Sequence, residues 1–177
     1  MNLPNKLSIC RILCIPVLVV LMYIGSDACR IAAGIVFILA SLTDFLDGHI
    51  ARKNQLITDF GKFIDPVADK LLVLSSLIML MHHGLMEAWI IIVILGRELA
   101  VDGLRLVSVT QGKVIAAGQL GKIKTTCQMI LITVCILLNL PCFSAWYMTA
   151  LTVLTVGMTL ISGVDYFIRN RSVFQTK

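Results

Sequence analysis

Residues 44–69 read DFLDGHIARKNQLITDFGKFIDPVAD, and segments apolar enough to lie in lipid, 31–50 and 60–82, overlap this stretch at either end. Four carboxylates, Asp44, Asp47, Asp65 and Asp69, therefore fall in segments whose composition sends them into a membrane. An ionised side chain near the bilayer centre is expensive, so intramembrane carboxylates mark functional sites. Asp44, Asp47, Gly48 and Ala51 recur at i, i+3, i+4 and i+7 on one helix face, and Gly61, Asp65 and Asp69 recur every fourth residue on another. Two such helices side by side would point four carboxylates at one pocket.

Of the 177 residues, 58% are hydrophobic and 14% charged, against about 25% charged in soluble domains, and the mean hydropathy is +0.94. These values predict an all-α, polytopic integral membrane protein with a single domain over residues 1–177. A spanning helix takes about 20 mostly apolar residues, and six are expected near 9–26, 31–50, 60–82, 86–108, 116–138 and 144–168. The charge-free run from Thr125 to Val164 divides at Asn139-Leu140-Pro141, because proline ends a helix and disfavours helical backbone in the residue before it. The first eight residues are too polar to span and are expected to form a short interfacial segment. The apolar run that follows reads as retained rather than as a cleaved signal, since Ser26-Asp27-Ala28-Cys29-Arg30 leads straight into the next hydrophobic segment.

Six spans place both termini on one side of the membrane. That side collects Lys6, Arg11, Arg52, Lys53, Lys62, Lys113, Lys122, Lys124, Arg169, Arg171 and Lys177, while the opposite loops hold only Arg30. Both termini are thus expected in the cytoplasm, in a multi-pass protein of the cell membrane, with the aspartates toward the cytoplasmic ends of the second and third helices. The net charge of +5 follows from this bias and favours anionic membrane lipid. No base-reading motif points to nucleic acid. The six cysteines make no CxxC pair. Cys10, Cys14, Cys127 and Cys135 read as small packing residues, and Cys29 and Cys142 as a pair only if their compartment is oxidising. The chain shows no internal repeat of the transporter kind.

Oxygen donors at this density suit a hard divalent cation such as Mg²⁺ or Mn²⁺. Four like charges in a dry pocket repel one another or take up protons, and one or two divalent ions relieve that repulsion. Two ions about 3.5–4 Å apart stabilise the attacking and leaving oxygens of phosphoryl chemistry. A second, basic group lies further along the chain. Arg97 and Arg105 are about 80° apart around one helix, and Lys122, Lys124 and Thr125 open the fifth, a set suited to a phosphate on a small substrate. A competing reading makes Glu98, Asp102 and Arg105 an ion-pair set at i, i+4 and i+7, with Lys122 and Lys124 marking the membrane boundary. Asp59 reads as a capping or solvated residue, His49 as a helix-face residue, and His82 and His83 as loop residues on the far side.

Written as D-x-x-D-G-x-x-A-R-x8-G-x-x-x-D-x-x-x-D, residues 44–69 match at every fixed position the motif of the CDP-alcohol phosphatidyltransferase family. Together with the segment from Asn2 to Arg11, Gly96-Arg97-Glu98, Gly103-Leu104-Arg105 and the segment from Gly121 to Thr125, roughly the first three quarters of the chain resembles the phosphatidylglycerophosphate synthase branch of that family. The resemblance implies that Asp44, Asp47, Asp65 and Asp69 surround the metal, with Asp69 as the base that activates the acceptor hydroxyl. It implies that Gly48, Ala51 and Gly61 admit the CDP moiety of CDP-diacylglycerol and that Arg52 lies beside its pyrophosphate. Arg97, Arg105, Lys122, Lys124 and Thr125 would then hold the phosphate of glycerol 3-phosphate, and the enzyme would be a homodimer. Three positions depart from the branch pattern: Ser8 stands for Thr, His49 for an aromatic or apolar residue, and Asp102 for a small polar one. Asp102 bears most on the proposed phosphate pocket, whose positive potential it would lower. Two alternatives stay open. One keeps the donor and changes the acceptor, as in a cardiolipin-type or inositol-phosphate synthase. The other is a cation transporter, against which stand the clustering of acids at one membrane face and the lack of a broken-helix pair at the midplane.

Overall fold

A computed structural model describes residues 3–53, 59–111, 115 and 118–173, with side chains left undescribed at 3–6, 44–53, 59, 60, 62, 63 and 172. It contains six helices, α1 (Leu3–Ile24), α2 (Asp27–Lys53), α3 (Asp59–His82), α4 (Ala88–Thr110), α5 (Gln119–Leu138) and α6 (Trp146–Arg169), then a 3-10 turn at Arg171–Val173. No strand occurs among the described residues. The all-α class and the order of elements agree with the hydrophobic pattern. The interfacial segment is not a separate element, because helix already begins at Leu3. Pro4 falls in that first turn, where a missing N–H costs nothing.

The joints follow local backbone chemistry. Gly25 closes α1 at φ +70°, a conformation that costs a residue without Cβ little. Gly84 closes α3 at φ +69°. Its N–H reaches the Met81 carbonyl at 2.9 Å and the Leu85 N–H reaches the Leu80 carbonyl at 2.9 Å, the paired bonds of a Schellman cap. The long charge-free run breaks where the sequence places the break. Asn139 takes φ +53°, a left-handed conformation that asparagine tolerates, and Pro141 follows it.

By length and composition, three helices among the described residues are apolar enough to cross a membrane: Leu7–Ile24 within α1, Gln119–Leu138 and Trp146–Arg169. The helices α2, α3 and α4, of 27, 24 and 23 residues, have the length but carry the charged residues that hold the candidate sites. Large apolar side chains face outward on many helices, among them Leu13, Leu39, Ile92, Leu106 and Val153.

The chain divides into two compact units, one formed by Met1–Leu85 with Ile132–Leu140 and one by Met86–Leu131 with Pro141–Lys177. In the first, α1 packs on both α2 and α3, burying Leu18, Met22, Phe37, Leu72, Leu77 and Leu80. The end of α5 closes on α2 at Gly34, where a Cβ would stand 2.4 Å from Leu137 Cδ2 and 3.1 Å from its Cγ. Small residues let membrane helices approach this closely. In the second unit α4 packs on α6, with Val101, Leu104, Tyr166 and Val173 as a buried cluster.

Gly34→Val is expected to lower stability by about 1–3 kcal/mol through overpacking. Gly157→Ala, at a helical glycine with open space around it, is expected to raise stability by up to about 1 kcal/mol. Thermal unfolding of the purified protein in detergent reads both, and equal melting temperatures for the two variants would contradict the Gly34 contact.

Candidate functional site

Helix α2 carries Asp44, Asp47, Gly48, Ala51 and Arg52 on its backbone, but the side chains of these five lie outside the described residues. Helix α3 carries Gly61, Asp65 and Asp69 at successive turns; Gly61 is buried and both aspartates are half-buried. An interval of four keeps the two carboxylates on one face. The Ser8 hydroxyl of α1 donates to Asp65 Oδ1, so a residue 57 positions earlier orients this carboxylate. Ser8 is 0% exposed. Sequence reading registered Ser8 only as a departure from threonine; its hydroxyl, common to both residue types, is what the carboxylate uses. Arg11, three residues further along α1 and 1% exposed, adds a buried positive charge to the same unit. In the sequence Arg11 figures as a marker of membrane orientation and as the end of the Asn2–Arg11 segment, with no role in the site. Among the described residues no three His, Cys, Asp or Glu side chains gather into a metal site, and the two acids of α2 are not among those described. The α3 donors are hard carboxylate oxygens on one helix face, one of them fixed by a hydroxyl, and they fit a hard divalent cation.

The basic group is built in the second unit. Arg97 and Glu98 of α4 meet Lys124 of α5 and Ser162 of α6. The Glu98 carboxylate accepts from Lys124 Nζ and, at 3.4 Å, from Arg97 Nη1. Arg97 Nη2 donates to Ser162 Oγ at 3.2 Å. The Arg97 side chain runs over two glycines: a Cβ would stand 3.1 Å from its Cγ at Gly163 and 3.7 Å from its Nη2 at Gly121. Arg105 Nε donates to Tyr166 Oη at 3.0 Å, and its guanidinium carbon lies 5.5 Å from the ring centre, within cation–π range. Glu98 thus pairs across helices with Lys124 and along its own with Arg97, and Arg105, seven residues further along α4, takes Tyr166 instead.

Of the five residues expected to hold a phosphate, Arg97 and Lys124 share one carboxylate, and Arg105 joins the same α4–α6 face through Tyr166. Lys122 and Thr125 are exposed on α5, and the Thr125 hydroxyl donates to its own helix at the Gly121 carbonyl, 3.0 Å away. Glu98 as a shared counter-charge, and Ser162, Gly163 and Tyr166 as partners, were not read from the sequence. A small Ser-Gly pair and a tyrosine one turn apart, near the charged end of an aliphatic helix, are the signal that marks them. Cys29 and Cys142 are free thiols, and burial pushes the Cys142 thiol above its ordinary range, which favours its protonated form.

Comparison with known proteins agrees with the motif. The model of the family described as CDP-alcohol phosphatidyltransferase matches residues 1–161. A protein of Bacillus subtilis (strain 168) named CDP-diacylglycerol–glycerol-3-phosphate 3-phosphatidyltransferase is 44% identical, the match covering 99% of this chain and 98% of the relative. Proteins of the same name are 44% identical in Rickettsia typhi, over 77% of this chain and 76% of the relative, and 37% identical in Pseudomonas fluorescens, over 94% and 88%.

Removing one member of a buried ion pair leaves the other charge uncompensated, at a cost of about 3–5 kcal/mol. Glu98→Ala is expected to destabilise the detergent-purified protein on this scale, and adding Lys124→Met to recover part of the loss. Strictly additive effects on thermal unfolding would show that the two side chains do not share the interaction.

Proposed function

The chain belongs to the CDP-alcohol phosphatidyltransferase family, and from that membership we propose that it transfers the phosphatidyl group of CDP-diacylglycerol to glycerol 3-phosphate, releasing CMP and forming phosphatidylglycerophosphate. The observation that carries this is the pair Asp65 and Asp69 in helical register on α3, with Asp65 oriented by the buried Ser8. A cation path would have no use for the basic group on α4 and α5, and the three relatives above bear glycerol-3-phosphate in their names.

In this reading Asp44, Asp47, Asp65 and Asp69 hold divalent metal, Mg²⁺ or Mn²⁺, of which two ions suit the chemistry. The bound metal supplies positive charge against the pyrophosphate and the leaving CMP oxygen. Gly48, Ala51 and Gly61 leave room for the cytidine diphosphate backbone, and Arg52 offers paired donors to its phosphates. Asp69 takes the proton from the acceptor hydroxyl as that oxygen bonds to the phosphorus carrying diacylglycerol. The bond from this phosphorus to the bridging oxygen breaks and CMP departs with the electron pair. Arg97 and Arg105 hold the acceptor's phosphate, with Lys122, Lys124 and Thr125 completing the basic surroundings. Lys124 acts there through the Glu98 carboxylate it shares with Arg97.

Six membrane spans, cytoplasmic termini and a homodimer belong to the same proposal. Tyr23 lies at the end of α1 and Trp89 and Trp146 at the starts of α4 and α6, and aromatics at helix ends, the kind that sit at membrane interfaces, support the topology. The family match runs through residues of both units, which supports one catalytic domain over 1–177.

Asp69→Asn is expected to lower transfer about 10²–10⁴-fold, the usual weight of a general base. Asp65→Asn should lower it similarly, and Ser8→Ala about tenfold, as for residues that orient metal ligands. A chelator should stop turnover, and Mg²⁺ or Mn²⁺ should restore it. The assay is lipid product formed from CDP-diacylglycerol and glycerol 3-phosphate, with detergent melting temperature as the control for folding. Near-normal transfer by both aspartate variants, or turnover without metal, would overturn the assignment.

A further inference from the structure

A phosphate site built from arginines depends on where the guanidinium groups are held, because the side chain is long and its five N–H donors point in a fixed fork. Arg97 and Arg105 stand eight residues apart on α4, about 12 Å along the axis at 1.5 Å per residue. Their α6 partners, Ser162 and Tyr166, stand four residues apart, about 6 Å along theirs. The pairing runs in one direction, 97 with 162 and 105 with 166, so both guanidinium groups are anchored on one face of α6.

Each anchor is specific in its chemistry. Ser162 Oγ donates to the Thr159 carbonyl at 3.1 Å, which turns a lone pair toward Arg97. Gly163 leaves the space that the Arg97 stem fills, since a Cβ there would stand 3.1 Å from Arg97 Cγ. Tyr166, 6% exposed, engages Arg105 at Nε and by its ring face. That choice of nitrogen leaves Nη1 and Nη2 of Arg105 without a hydrogen bond among the described residues, the two terminal groups that a phosphate oxygen pair accepts from.

We propose that the α6 face formed by Ser162, Gly163 and Tyr166 is the positioning element of the acceptor site: it spaces Arg97 and Arg105 for one phosphate monoester and so sets the enzyme's affinity for a phosphorylated polyol. This rests on the assignment of the two arginines to the acceptor phosphate. The three residues act through the arginines, and none of them carries charge. Substitutions there change position while the charge of the pocket stays the same.

The test uses the full-length purified enzyme in detergent, with transfer measured as a function of glycerol 3-phosphate at saturating CDP-diacylglycerol and the reverse. Tyr166→Phe keeps the ring and removes the oxygen; Gly163→Ala adds the Cβ against Arg97. Each is expected to raise KM for glycerol 3-phosphate about tenfold, the scale of one well-placed hydrogen bond, with KM for CDP-diacylglycerol changing less than about twofold. In an Arg105→Lys background, which lacks Nε, Tyr166→Phe is expected to add no further increase. An unchanged KM for glycerol 3-phosphate in both single variants, or an equal effect of Tyr166→Phe in both backgrounds, overturns the proposal. Arg105→Ala separates the two levels. If it raises KM for the acceptor while the α6 variants do not, only the positioning role fails; if it leaves KM unchanged, the acceptor assignment fails with it. Should Gly163→Ala lose thermal stability, the Tyr166 cycle decides alone.

Discussion

A charge buried in a chain this apolar persists only beside a counter-charge or a hydrogen-bond partner, and that constraint organises both units. Lys124, 3% exposed, is held by Glu98, which also receives Arg97. The ion pair ties α4 to α5, and the other end of Arg97 ties α4 to α6 through Ser162. Neither lipid nor an aliphatic core would repay the desolvation of these groups. They sit where they do because each satisfies another.

The same constraint explains the small residues around them. A guanidinium can lie between helices only where the facing side chains are minimal, and Gly121 and Gly163 supply that space for Arg97. At Gly34 the absence of a side chain serves packing alone, admitting Leu137 of α5 against α2. Glycines of one composition class thus do two different things. One set makes room for charged donors and the other brings backbones together.

Catalysis by such a protein needs two kinds of order that differ in cause. On α3, carboxylates are spaced by helical register and one is oriented by a hydroxyl from α1, a donor set that suits a hard metal ion. Between α4 and α5, the cations Arg97 and Lys124 are brought together, and their repulsion is offset by Glu98. A metal site tolerates like charges because the ion neutralises them. The proposed phosphate site would have no resident counter-ion between turnovers, and a protein carboxylate with neutral anchors such as Tyr166 and Ser162 would keep it assembled.

The helices and their breaks were legible in the sequence because periodicity, Gly25, Gly84 and the Asn139-Leu140-Pro141 break are local signals. The register of Asp65 and Asp69 was legible for the same reason, since an interval of four fixes a shared face whatever surrounds it. The family was legible because eight fixed residues at fixed gaps stand in one short stretch. What the sequence left open was every choice of partner across helices. Glu98 had Arg105 within reach on its own helix and takes Lys124, 26 positions away; Arg105 takes Tyr166, 61 positions away; Asp65 takes Ser8. Spacing along a chain determines which residues share a face. Which face meets which depends on how helices pack, and only tertiary structure decided it.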